Sequence, residues 1–379
     1  ITILAAHRNM SGPRHAIFDE FKIADYTEWL DIPRNPLFRF FHAPILFFSL
    51  LVRSPGAAIK AIQIYKYKTM AKNCKCLYYG NRLLGRHYDI VHCHFGTNGL
   101  IGSYLKDIGV AQRLVTAFHG SDINSYPKRY GHALYEYLYK RADMITSNTR
   151  FTASKIIANG GSPSLIKIVP EPLIASEYEN LDRSTILPYS LLTVGRLEEK
   201  KGHRYVIEAL ALVRKQVPAV RYYIVGGGSL EAELRTLAKQ HGVEDICYFE
   251  GMKTGEEVRS YYASCQVFTL PSVQASNGDM EGQGLVIQEA QMCGLPVITT
   301  RHNGIPDGLL DGETGFLLEE RDVSGLAKRI TELLTDDALR AKMGKRGIEF
   351  VRSGYDITPI TARLLGYYRE ILASEASSR

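Results

Sequence analysis

Short runs rich in β-branched residues alternate along this chain with stretches in which apolar residues recur every three or four positions, and no other feature constrains the fold as strongly. A strand that hands over to a helix re-enters its sheet parallel to itself, so repeated alternation builds a parallel sheet covered by helices on both faces. The pattern predicts strands at 89–94, 113–118, 143–147 and 166–169 in the first half. In the second half it predicts strands at 190–194, 221–225, 246–250, 267–270 and 296–300. Helices are expected between them, including 205–217, 230–241 and 254–264. The stretch 170–190 carries Pro170, Pro172 and Pro188 without a clear period and reads as the linker. The expected fold class is α/β, with two doubly wound Rossmann-like domains facing across a cleft and ligand at the carboxyl ends of the strands. Expected boundaries are 1–170 and 171–355, with a C-terminal helix in 356–379 packing back on the first domain.

Six cysteines (Cys74, Cys76, Cys93, Cys247, Cys265 and Cys293) are too scattered for a disulfide framework, which points to a reducing, cytoplasmic setting. The longest uninterrupted apolar run, 43–52, has ten residues and contains Pro44, short of the roughly 20 that a spanning helix needs, so no crossing is expected. The net charge of +6 conceals a block, 32–88, with ten Lys or Arg residues and no Asp or Glu. Phe38, Phe40, Phe41, Phe47, Phe48, Tyr65 and Tyr67 are interleaved with that charge. Such a block suits an anionic surface, either lipid headgroups or nucleic acid, and competes with the plainer reading of core helices with basic outer faces. No nucleic-acid motif accompanies it, so an anionic membrane is the expected partner and nucleic acid is not.

The chemistry gathers in turns at strand ends. Val194-Gly195-Arg196-Leu197 leads to Lys201-Gly202, and a glycine beside two cations fits a nucleotide diphosphate. Gly226-Gly227-Gly228 follows the next strand, but position 231 is Glu, so the dinucleotide fingerprint fails and a nicotinamide dehydrogenase becomes remote. Glu281 and Glu289 bracket Gly282, Gln283, Gly284 and Leu285 at an expected helix start. Were the intervening residues mostly helical, the two carboxylates would lie ~12 Å apart along the axis, matching a ligand with hydroxyls at both ends and phosphates between. His92-Cys93-His94 hints at a metal, but neighbouring strand residues face opposite ways, and no metal is expected.

Gly195-Arg196 with Lys201-Gly202, Glu281 to Glu289, Gly294-Leu295-Pro296-Val297 and Gly312-Glu313-Thr314-Gly315-Phe316 together resemble the family 4 retaining glycosyltransferases of the GT-B fold. His92-Cys93-His94-Phe95-Gly96 and Phe118-His119-Gly120-Ser121-Asp122 are similar to the subgroup that builds bacterial exopolysaccharides of the colanic acid type. The resemblance implies transfer of a hexose from a nucleoside-diphosphate sugar to a hydroxyl of a glycan or lipid-linked acceptor, with retention, no metal and no other cofactor. It implies that Arg196 and Lys201 hold the diphosphate, Glu281 the transferred sugar and Glu289 the ribose. Gly195, Gly226, Gly282, Gln283, Gly284 and Leu285 would complete the donor site. His119 would reach the sugar from the first domain, and His94 and Asn98 would line the acceptor side. The enzyme would work in the cytoplasm, on the inner face of the plasma membrane. Relatives open with a strand and a small-residue loop, whereas 1–6 resembles their second strand, so the first β-α unit is expected to be lacking. A GT-B sugar-nucleotide epimerase and a catalytically silent GT-B binding domain are the alternatives. Neither the donor's base and sugar nor the acceptor is readable, because pocket shape around Lys253 and Leu285 decides the donor.

Overall fold

The computed structural model describes residues 1–7, 16–179 and 181–374. The chain divides into two compact units, one of Ile1–Ser147, Ser154–Lys167 and the residues from Tyr368 onward, the other of Asn148–Ala153 and Ile168–Tyr367. The main break thus falls at 167/168, within three residues of the expected linker, but the short segment Asn148–Ala153 belongs to the second unit.

In the first unit β1 (Ile3–Ala5) and β2 (Thr27–Trp29) pair in parallel with each other alone. The other sheet has the order β3-β4-β5-β6, formed by Tyr88–His94, Ala111–Phe118, Met144–Ser147 and Ile166–Ile168. Between β2 and β3 lie α1 (Pro36–Arg53), α2 (Pro55–Ala61), α3 (Ile64–Lys72) and α4 (Lys75–Leu83), and α5 (Gly96–Asp107) follows β3. The helix α1 starts where it does for local reasons: the Asn35 side chain accepts from the Leu37 N–H at 2.9 Å, and Pro36 supplies a first residue that needs no hydrogen-bond acceptor. It ends at Ser54, whose hydroxyl caps α2. Leu50, Ala58, Tyr67, Leu83, Leu100, Tyr104 and Leu114 form the fully buried centre.

At 18 residues, α1 is long and apolar enough to cross a membrane by length and composition, because only Arg39, His42 and Ser49 interrupt its hydrocarbon before Arg53. The run-length expectation missed this by stopping at His42. Arg39 itself is buried and gives its guanidinium to the carbonyls of Pro33, Arg34 and Asn73 at 2.6, 2.9 and 3.0 Å, which ties this helix to the unit.

The second unit is built on a six-stranded parallel sheet of order β12-β11-β10-β7-β8-β9. Its strands are β7 (Ser190–Val194), β8 (Arg221–Val225), β9 (Cys247–Gly251), β10 (Val267–Leu270), β11 (Val297–Thr300) and β12 (Gly315–Leu318). The chain moves outward from β7 to β9, then returns to the other side of β7 with β10. The strand order therefore reverses between β7 and β10, and a ligand crevice belongs at the carboxyl ends of these two strands. Helices α6 (His203–Val213), α7 (Leu285–Met292), α8 (Val323–Thr335) and α9 (Asp337–Gly354) cover the sheet. The last helix, α10 (Ile357–Ala373), begins in the second unit and finishes in the first, where the Tyr368 hydroxyl lies 2.5 Å from His92 Nδ1. Two strands, β2 and β12, were absent from the expectations, because they hold only one β-branched residue, Thr27, between them.

Candidate functional site

In the second unit, the turns after β7 and β8 are joined. Gly195 N–H donates to the Val225 carbonyl at 2.9 Å, and Leu197 N–H to that of Gly227 at 3.0 Å. A Cβ at Gly226 would lie 2.0 Å from the Gly195 carbonyl oxygen, and its φ of +140° disfavours any side chain, so only glycine allows this approach. His203, the first residue of α6, sits 3.2 Å through Nε2 from the Arg196 carbonyl. Burial pushes this imidazole down to about 4, so it is neutral and donates Nε2–H, fixing the Arg196 turn.

The two predicted cations differ in setting. Arg196 is largely exposed and bonds Glu198 at 2.7 Å. Lys201 is almost buried and paired with the carboxylate of Glu281, which is nearly as buried. The neighbouring Lys200 binds Asp279 at 2.9 Å. The turn after β7 and the loop after β10 are therefore joined by two ion pairs at the point where the strand order reverses.

Glu281 is held by its backbone as well. Its N–H donates to His302 Nε2 at 3.1 Å, and its carbonyl accepts from the Asn303 side-chain amide. His302, 2% exposed, gives Nδ1–H to Glu320 at 2.6 Å, and the second Glu320 oxygen accepts from Gln274 N–H at 3.0 Å. Burial raises the Glu320 carboxyl, but those two hydrogen bonds outweigh it and hold it below the usual range. Because Nδ1 donates to a carboxylate, Nε2 is the acceptor, the tautomer that the Glu281 N–H requires.

The spacing expected between Glu281 and Glu289 is corrected. Helix α7 begins only at Leu285, and Gly284 caps it in the left-handed region at φ +74°, so 281–284 are not helical and the helical rise does not set that separation. No side chain caps the start of α7. The Gln283 side chain is buried and committed to both backbone groups of Glu171, at 2.8 and 2.9 Å, which leaves its main chain for a ligand. Glu289 accepts from the Tyr262 hydroxyl at 2.8 Å, and its burial raises its carboxyl above the ordinary value. A pocket of about 600 Å³ bounded by Tyr178, Arg183, Cys293, Arg340 and Ile348 includes Gly294 and Pro296 of the quoted motif but none of the expected donor- or acceptor-binding residues.

In the first unit, His92, His94 and His119 stack in a row, with ring centroids 4.9 and 5.3 Å apart, and His94 Nδ1 lies 3.1 Å from His119 Nε2. Burial pushes His92 down to about 3, so it is neutral. Cys93 turns the other way: a Cβ on Gly102 would lie 2.8 Å from its Sγ. Among the described residues, no group of three or more His, Cys, Asp or Glu side chains is placed to hold a metal ion. Asn98 donates to the His94 carbonyl at 2.8 Å. Asp122, buried, accepts from Gly96 N–H at 2.8 Å and from His119 N–H at 3.1 Å, so the carboxylate of His-Gly-Ser-Asp ties the loops after β3 and β4 together.

Of the residues expected at the site, the fold brings Gly195, Arg196, Lys201, Gly226 and Glu281 together at the ends of β7, β8 and β10. His203, His302, Asn303 and Glu320, which hold these turns, were not anticipated, and Asp122 was read only as part of a motif, without its role between the two loops. The available signal was His302-Asn303-Gly304 just past a predicted strand, the same position that marked the other motifs.

A doubly wound parallel sheet with cations and carboxylates at its switch point, in a chain that also carries a second α/β unit, is the architecture of a GT-B glycosyltransferase. Residues 187–350 match the family described as glycosyl transferases group 1, and residues 35–173 match glycosyltransferase family 4. The chain is 30% identical over 341 residues to a Salmonella typhimurium protein named as a colanic acid biosynthesis glycosyltransferase, covering 88% of this chain and 82% of that one. It is 33% identical over 253 residues to the amylovoran biosynthesis glycosyltransferase of Erwinia amylovora, covering 66% and 62%. Among solved structures it is similar to a glycosyltransferase from Rickettsia africae (TM-score 0.67, 17% identity, 95% and 88% covered) and to Anabaena HepE in complex with UDP (TM-score 0.66, 20% identity, 75% and 79% covered). The protein belongs to the family 4 glycosyltransferases and is a sugar transferase; the epimerase reading is not favoured.

Proposed function

We propose that this enzyme moves a hexosyl group from a nucleoside-diphosphate sugar to a hydroxyl of a glycan or lipid-linked saccharide in polysaccharide synthesis, with retention and without a metal. The observation that carries the reading is the Lys201–Glu281 ion pair beside the Gly195/Gly226 turns at the sheet's switch point. A diphosphate set there meets Lys201, Arg196, the backbone of Gly195, and the uncapped N–H groups that begin α7 after Gly282, Gln283 and Gly284. As the anomeric C–O bond breaks, negative charge grows on the departing phosphate, and the two cations stabilise it, the part a metal plays elsewhere. The acceptor oxygen bonds the anomeric carbon on the face the phosphate leaves, and its proton passes to a phosphate oxygen. Glu281 accepts from hydroxyls of the transferred sugar, to which His119 also donates. Glu289 accepts from the ribose diol, and Leu285 and Lys253 shape the donor pocket. His94 and Asn98 are assigned to the acceptor.

Polysaccharide synthesis is supported by the names of the colanic acid and amylovoran relatives. HepE was solved with UDP, while a Mycolicibacterium smegmatis relative is named for GDP-mannose, so both bases are candidates. For a lipid-linked acceptor, the basic block 32–88 would meet the anionic inner face of the membrane. The test is a thermal-shift screen of UDP, GDP and their sugars, followed by proton NMR of the product's anomeric centre in the presence of a chelator. Stabilisation by one base, an unchanged anomeric configuration and undiminished turnover with chelator are expected. Inversion would overturn retention, and loss of turnover restored by a divalent cation would overturn metal independence.

A further inference from the structure

The outward side of α1 is apolar from end to end. Leu37, Phe41, Ile45, Phe48 and Val52 are 67, 74, 68, 62 and 87% exposed, and their spacing of four, four, three and four residues aligns them on one stripe. Pro44 lies on the same side, also exposed, and Phe38 and Phe40 flank it at 49 and 67%. No charged group interrupts the stripe, since Arg39 points inward to three carbonyls. The opposite side is committed to the core through Leu50, with Ala43, Leu46, Phe47 and Leu51 packed around it. A helix fixed along one side can lie on a bilayer but cannot cross it. With ~1.5 Å of rise per residue its stripe, from Leu37 to Val52, runs ~22 Å along the surface.

Charge identifies the occupant. Exposed Arg34 and Arg53 stand at the two ends of α1, Lys72 and Arg82 are exposed on α3 and α4, and no acidic residue occurs anywhere in 32–88. A helix that is apolar in the middle and basic at its ends, in a segment without carboxylates, complements anionic headgroups over acyl chains. The structure also separates the basic residues by role: Lys60 donates to the Asp107 carbonyl, and Lys66 lies 5.1 Å from the Tyr137 ring. These two serve the unit's interior more than its surface.

We propose that α1 is an interfacial helix whose Leu37-Phe41-Ile45-Phe48-Val52 stripe inserts among the acyl chains of an anionic bilayer. This rests on the membrane reading given above and replaces purely electrostatic docking with hydrophobic insertion. The full chain is floated with vesicles of phosphatidylcholine alone and mixed with phosphatidylglycerol, at low and high salt. The parent is expected to bind the mixed vesicles and to keep much of that binding in high salt. Phe41→Ser/Phe48→Ser is expected to bind about tenfold more weakly or worse, with melting temperature and elution volume unchanged, because both side chains are exposed. Phe48→Trp is expected to gain quenching by brominated phospholipid over the parent, whose single tryptophan is Trp29.

Undiminished binding by the double variant, or no added quenching, would overturn insertion. A parent dimer that the double variant converts to monomer would assign the stripe to a second copy and overturn it too. Binding abolished by salt would keep the membrane reading and remove insertion. No binding to either vesicle would remove both, and none of these outcomes bears on sugar transfer, since the vesicles carry no saccharide.

Discussion

The Lys201–Glu281 pair sets the energetics of the candidate site at the scale of single residues. Both side chains are nearly buried, so removing one leaves an uncompensated charge costing ~3–5 kcal/mol, whereas removing both is close to neutral. Lys201→Met should therefore lower the melting temperature sharply, and Lys201→Met/Glu281→Gln should recover most of it while remaining inactive. Calorimetry beside a transfer assay reads both. The two carboxylates of the motif are expected to fail differently: Glu281→Gln should chiefly lower kcat, as an interaction strengthened in the transition state does, and Glu289→Gln should chiefly raise the donor's KM. The reverse split would mean that the donor lies the other way round. His302 acts through Glu281. His302→Ala strands the Glu281 N–H and deprives Glu320 of its donor, a loss of ~1–3 kcal/mol with lowered kcat, and His302→Gln, which retains an acceptor, should recover part of the kcat.

For the secondary-structure elements, the decisive contact is between two turns. Gly226→Ala would drive a Cβ into the Gly195 carbonyl, a rigid backbone group, and the turn that carries Arg196 would have to move. We expect a loss of order 1–3 kcal/mol in stability together with weakened nucleotide binding, measured by melting with and without the nucleoside diphosphate. Gly242→Ala is the comparison: its φ is also positive, at +64°, but nothing lies within 4 Å of a Cβ there, so it should cost stability and leave nucleotide binding unchanged. Most of these elements were legible beforehand because β-branched runs bounded by turn residues mark buried parallel strands. Strands β2 and β12 were not, since Thr27 is the only β-branched residue between them, and pairing with β1 and β11 makes them strands. Helix α7 does start between Glu281 and Glu289, but the helical spacing of the two carboxylates could not be read, because 281–284 form an irregular loop that ends at Gly284 in the left-handed region, and φ is not written in a periodicity.

Each unit of the whole molecule holds a neutral histidine withdrawn from water, the half-buried His92 in the first and the buried His203 in the second, pushed down to about 3 and about 4 by that burial. Unfolded chains bind a proton at these positions near pH 6.5, so folded and unfolded protonation agree above that value. As pH falls from there toward the folded values, the unfolded state takes up protons that the fold refuses, and stability is lost. His203 alone accounts for ~2 kcal/mol at pH 5. Melting at pH 7 and pH 5 should show a drop that His203→Gln reduces; an equal drop in parent and variant would refute this source. The sequence by itself determined the class of fold, the parallel order implied by alternation, and the glycine, cation and carboxylate motifs, because each is a local property of a few consecutive residues. Only the tertiary structure decided which of these meet. Thr300 pairs with Leu318 across β11 and β12, so the residues two positions beyond each, His302 and Glu320, arrive side by side under Glu281. Eighteen residues separate them in the chain, and strand register is a long-range outcome of packing that no window of sequence displays.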